Sequence, residues 1–393
     1  MDSKRKKIFF VFGWLGMVFY FTQRWILGPV IPAMMDYFQV DKTAMGLIGS
    51  ASLWGYMLSP IIAGILSDRF GRKNTTLAGI FGFSILTAVS GLMNSTGQLF
   101  AARFVTGVAE AFFFIPLMAF TLELFPSRPG FYLTLMSSGS SLGWFTGPTL
   151  AGWLLSLTGS WRAPFLVTGV AGIVVAVLML VYWPEQERPV QSGSFYDRSI
   201  LKTKNLMMLA LLSLVAAFQI SAEFGFTMWL PAYLQLEVKT TVAAAGMIAG
   251  FYGVGQFIGR PVLGWVSDRM AYRPVGITAA VIFGFTLMLV LSVDSTPLRA
   301  FFTFQAGFIG AAVMGVLWTF TGLLFTSSKG LALGIITTIG YVVASLSPIL
   351  IGYMGDHYSV ARGLWSVSVP ASFMAGLILL ATFLIRPSRL KRA

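Results

Sequence analysis

Gly64-Ile65-Leu66-Ser67-Asp68-Arg69-Phe70-Gly71-Arg72-Lys73 closes one apolar run, and Gly264-Trp265-Val266-Ser267-Asp268-Arg269-Met270-Ala271-Tyr272-Arg273 closes another, 200 residues later. The same shift lays Gly46 on Gly246 and Gly55 on Gly255. It also lays Pro148, Leu150 and Gly152 on Pro348, Leu350 and Gly352, and Arg162 on Arg362. Any one pair can arise by chance. The run Gly-x-x-Ser-Asp-Arg, twice and after equivalent apolar segments, points to an internal repeat, and repeats of this kind set the fold before any local detail does.

The runs that flank these segments are of membrane-spanning length. Hydrophobic residues make up 56% of the chain and charged residues 10%, where a soluble domain carries about 25% charged. Twelve segments of ~20 residues or more, enough to cross ~30 Å of hydrocarbon, are read at 8–33, 44–66, 75–94, 98–121, 131–157, 163–183, 205–234, 242–266, 275–293, 299–325, 330–354 and 364–386. The basic stretch Met1 to Lys7 and the apolar segment after it are too long for a cleaved leader and read as a retained first span. The longest polar stretch, 184–204, holds Pro184, Glu185, Glu187, Pro189 and Ser192-Gly193-Ser194 and reads as a linker. The expected organisation is therefore a six-helix bundle over 1–183, a cytoplasmic linker over 184–204 and a second six-helix bundle over 205–393.

The net charge of +13 belongs to topology, not to nucleic acid. With the first residues placed in the cytoplasm, Lys4 to Lys7, Arg69, Arg72, Lys73, Arg128, Arg188, Arg198, Lys202, Lys204, Arg269, Arg273, Lys329, Arg386, Arg389, Lys391 and Arg392 all fall on that side. The other side and its helix ends hold only Lys42, Arg103, Arg162, Lys239, Arg299 and Arg362. This is the positive-inside asymmetry. It predicts an even number of spans, both termini in the cytoplasm and a plasma (inner) membrane location. Parallel repeats of six spans predict a pseudo-twofold axis along the membrane normal and a solute site between the halves near mid-bilayer.

The segment Gly64 to Lys73 resembles the loop 2–3 signature of the major facilitator superfamily, and the resemblance covers essentially the whole chain. It implies an all-α membrane protein with twelve transmembrane helices in two pseudo-symmetric six-helix bundles. In that family this loop latches the halves, which implies a gating role for Gly64, Asp68, Arg69 and Arg72 and for their second copy, Asp268 and Arg269. Physically, Gly64 permits close helix approach, and Asp68 can pair with an arginine across the helix joint. The plainer reading of these residues is topology anchoring. Tyr20-x-x-x-Arg24, Arg103-x-x-x-Gly107-x-x-Glu110 with Pro116, and Gly147-Pro148, Gly152, Trp161-Arg162 and Phe165 resemble the anion:cation symporter branch, which includes sialin-like and sugar-acid carriers. Gly259-Arg260-Pro261 resembles span 8 of monocarboxylate carriers. Gln23 departs from those branch members that carry an acid directly before the span 1 arginine, so their two-acid coupling is not implied here.

A charge inside a span costs at least ~2.5 kcal/mol on insertion scales and marks a functional candidate. Arg24, Glu110, Glu223 and Arg260 lie inside spans. Arg24 shares a helical face with Tyr20 and Gly28; a guanidinium there grips a carboxylate through paired hydrogen bonds, or else forms a structural pair with a nearby acid. Glu110 is a proton carrier, because desolvation disfavours a carboxylate, or the fixed salt-bridge partner of Arg24. Arg260, with Gln256 one turn earlier, binds an anion or snorkels to the interface. Glu223, flanked by Gln219 and Thr227, faces the cavity as a second proton or cation site, or pairs with Arg260. Tyr20, Trp229, Tyr252, Trp318 and Tyr341 are the aromatic candidates for substrate contact. Gly139, Gly143 and Gly147 form a close-packing stripe. His357 reads as a surface residue.

The chain has no cysteine, and it has no phosphate-binding loop for a nucleotide-driven pump. A single peripheral histidine and no metal-ligand cluster leave no constellation for an enzyme. The expected function is a secondary transporter: proton-coupled symport of a small organic anion by alternating access, in the lipid bilayer, as a monomer, with no cofactor and no nucleic acid. The second reading is a multidrug or neutral-solute facilitator or antiporter in which the buried arginines are balanced by Glu110 and Glu223.

Overall fold

A computed structural model describes residues 3–125, 128–183, 203–270, 272–325 and 329–384. The expected linker lies outside the described residues up to 202. Among those described the regular structure is helical: α1 (Ser3–Trp25), α2 (Leu27–Phe38), α3 (Lys42–Leu58), α4 (Pro60–Phe70), α5 (Arg72–Ser90), α6 (Thr96–Leu124), α7 (Pro129–Thr158), α8 (Arg162–Tyr182), α9 (Thr203–Leu236), α10 (Val242–Arg269), α11 (Tyr272–Ser292), α12 (Thr296–Leu324), α13 (Lys329–Ala344), α14 (Ser347–His357) and α15 (Val360–Ala381), followed by a 3-10 turn at Thr382–Leu384.

Three of the twelve expected spans are broken, and proline chemistry explains where. A proline ring lacks an N–H and clashes with the carbonyl four residues before it. Pro29 points this clash at Trp25, where α1 ends; Pro348 points it at Ala344, where α13 ends. Pro60 opens α4, and the pair α3–α4 bends by 48° at Ser59. The Ser59 hydroxyl donates back to the Gly55 carbonyl at 2.8 Å and helps satisfy the bend. Joined across these breaks, the fifteen helices make twelve spans in the expected order.

The 200-residue repeat reappears as structure. α6 and α12 have the same bounds once shifted, and each is closed by a phenylalanine, Phe125 or Phe325. α5 packs on α6 and α8, and α11 packs on α12 and α15. The crossing of the second and fourth spans is built alike in both halves: a Cβ on Gly107 would collide with the Ser52 carbonyl, and one on Gly307 with the Tyr252 carbonyl. The glycine stripe on α7 closes on α1 as expected, with Gly139 against the Trp14 carbonyl, Gly143 against Val18 and Phe21, and Gly147 against Thr22 and Trp25. Such approaches suit a membrane interior, where backbone packing replaces the hydrophobic drive between helices.

Two compact units result: one over 1–192 with Leu234–Gly250, the other over 193–233 with Phe251–Ala393. The first unit thus includes the end of α9 and the start of α10. Gln235 Nε2 donates to the Pro29 carbonyl at 2.9 Å, and Gly246 lies against Pro148 and Gly152. Its apolar core gathers Phe9, Met17, Tyr20, Phe83, Phe113, Leu117 and Phe120. The core of the second unit gathers Leu212, Val215, Phe320, Ile336 and Leu379.

Gly64 does not have the packing role expected of it. A Cβ there meets nothing within 4 Å, because α4 leaves the line of α3 at the Ser59 bend. Forced overpacking costs about 1–3 kcal/mol or more, so Gly107→Leu and Gly307→Leu should each lower the melting temperature and the monodisperse yield of purified protein. Gly64→Leu should leave both near wild type; equal losses at all three positions would contradict these crossings.

Candidate functional site

In the first unit, Arg24 stands in the last turn of α1, 6% exposed. Its position follows from the Pro29 break: α1 ends one residue later, and a cation is favoured near a helix C-terminus. The break also separates Arg24 from Gly28, which therefore does not continue its helical face. Arg24 Nη1 donates to Tyr20 Oη at 2.9 Å and lies 3.5 Å from Glu110 Oε2. The guanidinium also stands over the Tyr56 ring at 5.5 Å. Helices α1, α3 and α6 thus converge on one buried ion pair. Glu110 is 1% exposed. Gln23 turns elsewhere, donating to the Thr168 carbonyl at 2.9 Å and toward Ser84 Oγ at 3.4 Å, and so ties α1 to α8 and α5.

Arg103 joins this cluster without having been expected there. In the sequence it reads as a charge near an outer helix end. It is instead 1% exposed, two turns into α6, and interacts electrostatically with Glu110 and Arg24. Its spacing of seven residues from Glu110, two helical turns, was the available signal.

The second unit gathers a different set. Glu223 accepts from Gln219 Nε2 at 2.8 Å, and Thr227 Oγ1 donates to the Glu223 carbonyl at 2.6 Å, so the expected polar stripe of α9 lies on one face. Arg260 Nη2 donates to Gln256 Oε1 at 3.1 Å on α10. Arg260 is in electrostatic reach of Glu223, Tyr252 and Tyr341. Gly310 of α12 leaves the room for this arrangement: a Cβ there would stand 2.9 Å from Tyr252 Oη and 3.5 Å from Glu223 Oε1. Tyr252 and Gln256 are buried, and Tyr341 is half-buried.

Two aromatic candidates are placed in contrasting settings. Trp229 is fully buried, and its indole N–H donates to the Pro348 carbonyl at 2.9 Å, so its polar edge braces the broken span α13–α14. Trp318 is 51% exposed. His357 is exposed, as expected, with Nδ1 2.9 Å from the Tyr353 carbonyl.

At the loop between α4 and α5 the organising residue is Arg72. Its Nη1 lies 2.7 Å from Asp68 Oδ1 and donates to Ser67 Oγ at 2.8 Å, and its Nε donates to Glu123 Oε1 at 3.1 Å. The pairing of Asp68 across the joint matches expectation; Glu123, from the end of α6, carried no signal in the sequence. Gly71 has φ +90°, a conformation L side chains rarely adopt, and this lets the chain turn directly from α4 into α5. Arg69 and Arg269 are exposed over Phe70 and Trp265. The side chain of Asp268, and Ala271, lie outside the described residues.

Comparison with known proteins adds the family. The model of the Major Facilitator Superfamily matches residues 13–241 and 212–393. A cis,cis-muconate transport protein of Acinetobacter baylyi is 26% identical, over 96% of this chain and 94% of that protein. A D-galactonate transporter of Escherichia coli is 25% identical, over 94% of each chain. Among solved structures, a bacterial homologue of the human lysosomal transporter Spinster, in an inward-facing and occupied conformation, superposes with a TM-score of 0.79 at 16% identity, over 98% of this chain and 97% of that one.

Hydrogen bonds to charged groups are worth about 1.5–3 kcal/mol each, whereas exposed ion pairs are worth about 0–1 kcal/mol. Arg72→Ala should therefore lower thermal stability clearly, and Asp68→Asn, which removes a mostly exposed partner, only slightly. Melting curves of the two purified variants check the order.

Proposed function

The chain belongs to the major facilitator superfamily, and from that premise we propose that it carries a small organic anion across the membrane in symport with protons, by alternating access. It is an integral membrane carrier and not an enzyme. The observation that supports the cargo is the buried contact between Arg24 and Glu110, with Nη1 and Oε2 3.5 Å apart. One guanidinium there faces one carboxylate that belongs to the protein. A substrate carboxylate competes for the same guanidinium, and protonating Glu110 removes its competitor. Proton and anion then load together, because the protonated acid no longer holds Arg24 and the anion replaces the lost charge. The names of the relatives, which handle muconate and galactonate, agree with a carboxylate cargo.

Each unit contributes in its own way. In the first, Arg24 takes the carboxylate with Tyr20 orienting its Nη1, and Glu110 carries the proton. In the second, Arg260, held by Gln256, is a further anion contact beside Tyr252 and Tyr341. Glu223, held by Gln219, is a second proton site. Trp229 is left out of the substrate set because its donor is committed to Pro348. The knot of Asp68 and Arg72, with Arg69 and the second-copy Asp268 and Arg269, is read as the cytoplasmic latch. Halves over 1–183 and 205–393, termini in the cytoplasm, an inner-membrane location and a monomeric state complete the reading.

A thermal-shift screen of organic acids on purified protein, beginning with cis,cis-muconate, tests the cargo, since a ligand of the native state raises apparent stability. In proteoliposomes, adding the acid that binds should alkalinise the outside medium. Arg24→Ala and Arg260→Ala should each lose uptake; normal transport of an organic acid by both variants would remove the anion site and favour the neutral-solute reading.

Glu110→Gln should keep substrate exchange and lose accumulation driven by a proton gradient. Accumulation at the wild-type level would take Glu110 out of coupling.

A further inference from the structure

The two halves differ where the first span of each meets the fifth. In the first half, Gly143 and Gly147 bring α7 so close to α1 that a Cβ on either would collide with the backbone at Val18 or Thr22. The 200-residue shift places Val343 and Ser347 at those positions, with Phe218 and Ser221 opposite. Side chains there hold the helices further apart, and the break between α13 and α14 falls at the same level. An apolar groove of about 260 Å³ is left between α9, α13–α14 and α15. Phe218, Val343, Leu346, Leu350, Ser366 and Met374 are among the residues that line it.

The lining does not suit an organic anion. It carries no charge, and Ser221 and Ser347 give their hydroxyls to the Ala217 and Ala344 carbonyls. Leu346, Leu350 and Met374 are exposed, as side chains that meet hydrocarbon are, and an exposed apolar patch of this kind marks a contact with membrane. The helix faces that form the groove run to a polar end. On α14, Leu350 is followed one turn later by Tyr353 and then by His357, whose ring lies 4.2 Å from that of Tyr353. On α15, Ser366 is preceded one turn earlier by Arg362, which stands 5.0 Å over the Tyr358 ring. Asp356, next to His357, is half-buried and already engaged. The exposed Arg362 guanidinium has no hydrogen-bond acceptor or ion-pair partner among the described residues. Its repeat mate differs: Arg162 Nη2 donates to Tyr37 Oη at 2.9 Å and to Asn94 Oδ1 at 2.7 Å. Tyrosine and arginine at a span end sit at headgroup level, and a guanidinium matches a phosphate in charge and shape.

We infer that this groove of the second unit binds a membrane phospholipid, one acyl chain lying along Leu346, Leu350 and Met374 and the phosphate held by Arg362 beside Tyr358. The neutral trough selects the chain and the unpaired cation at its end selects the head. The site is independent of the cargo and would stand for any solute. It also has a structural consequence: the chain supports the α13–α14 break from the lipid side, where the Trp229 bond to the Pro348 carbonyl supports it from within.

The test irradiates purified, delipidated full-length protein in detergent with a phosphatidylglycerol that carries a diazirine on one acyl chain, and maps the labelled peptides by mass spectrometry. Label should concentrate around Leu346, Leu350 and Met374, several-fold above the corresponding first-half residues Thr146, Leu150 and Val174, and excess unlabelled phosphatidylglycerol should remove it. A diacylglycerol with the same diazirine chain, which lacks the phosphate, should label the groove several-fold less. Arg362→Gln should bring the phosphatidylglycerol label down to that level. Ser366→Phe, at an exposed position that fills the groove without entering the core, should lose the label and keep the wild-type elution profile. Equal labelling of the two halves overturns the inference, as does wild-type labelling of Ser366→Phe. Equal labelling by the diacylglycerol overturns the role of Arg362. A dimer of the wild type that Ser366→Phe dissolves would give the groove to a second copy of the chain and overturns the phospholipid site.

Discussion

A carboxylate and a guanidinium taken out of water inside a membrane bundle must answer each other, and the 3.5 Å contact between Glu110 and Arg24 is the point on which the first unit is organised. Removing one member of such a buried pair typically costs about 3–5 kcal/mol, because the other is left uncompensated. The surrounding structure holds both ends in place. The Pro29 break ends α1 just after Arg24, Tyr20 fixes one nitrogen of its fork, and Gly107 brings α6 against α3 so that Glu110 reaches the interior. An apolar pair of similar volume would cost less to bury. The ions are held here at a cost, and it is this cost that makes the pair a candidate site.

The repeat sharpens this point. Shifted by 200, Gln23 meets Glu223 and Glu110 meets Gly310. The acid has exchanged places between the halves, from the fourth span of one to the first span of the other. The exchange is sterically consistent: the missing side chain at Gly310 leaves the space beside Tyr252 Oη and Glu223 Oε1. Arg24 meets Phe224, and Pro60 meets Arg260, so the cations have moved as well. What the halves share is backbone geometry, in the crossings at Gly107 and Gly307. What they do not share is their polar load.

Much of this was legible before the structure, and the boundary has physical causes. Spans could be read because hydrocarbon thickness dictates their length. The α7 glycine stripe could be read because helical period places residues 139, 143 and 147 on one face. Asp68 and Arg72 could be paired because they flank one joint. The breaks were harder: prolines 29, 60 and 348 interrupt their spans, while Pro116 and Pro148 stay inside unbroken α6 and α7. The difference lies in what satisfies the freed carbonyls, which is tertiary. Gly64 was misjudged for the same reason, since the bend that isolates it is made at Ser59. The bond from the Trp229 indole to the Pro348 carbonyl, 119 residues away, had no signal in the sequence. Arg103 was passed over as a helix-end charge, because distance from a span end along the chain does not measure depth in a bundle.

Depth is what gives the charged residues their different meanings. Arg69 and Arg269 lie over aromatic rings at exposed positions, where water and salt weaken any pairing. Arg72 is buried at the joint and holds three partners, so its charge serves structure. Arg299 is buried and gives its Nε and Nη2 to carbonyls, which is also structural. Arg24 is buried beside an acid, and under the proposed function that acid releases it by taking a proton. The same side chain therefore takes different roles according to what answers its charge, and only where the answer can be withdrawn does a guanidinium become available to a passing anion. That condition, more than the presence of arginine in a span, is what singles out Arg24 in the proposed reading.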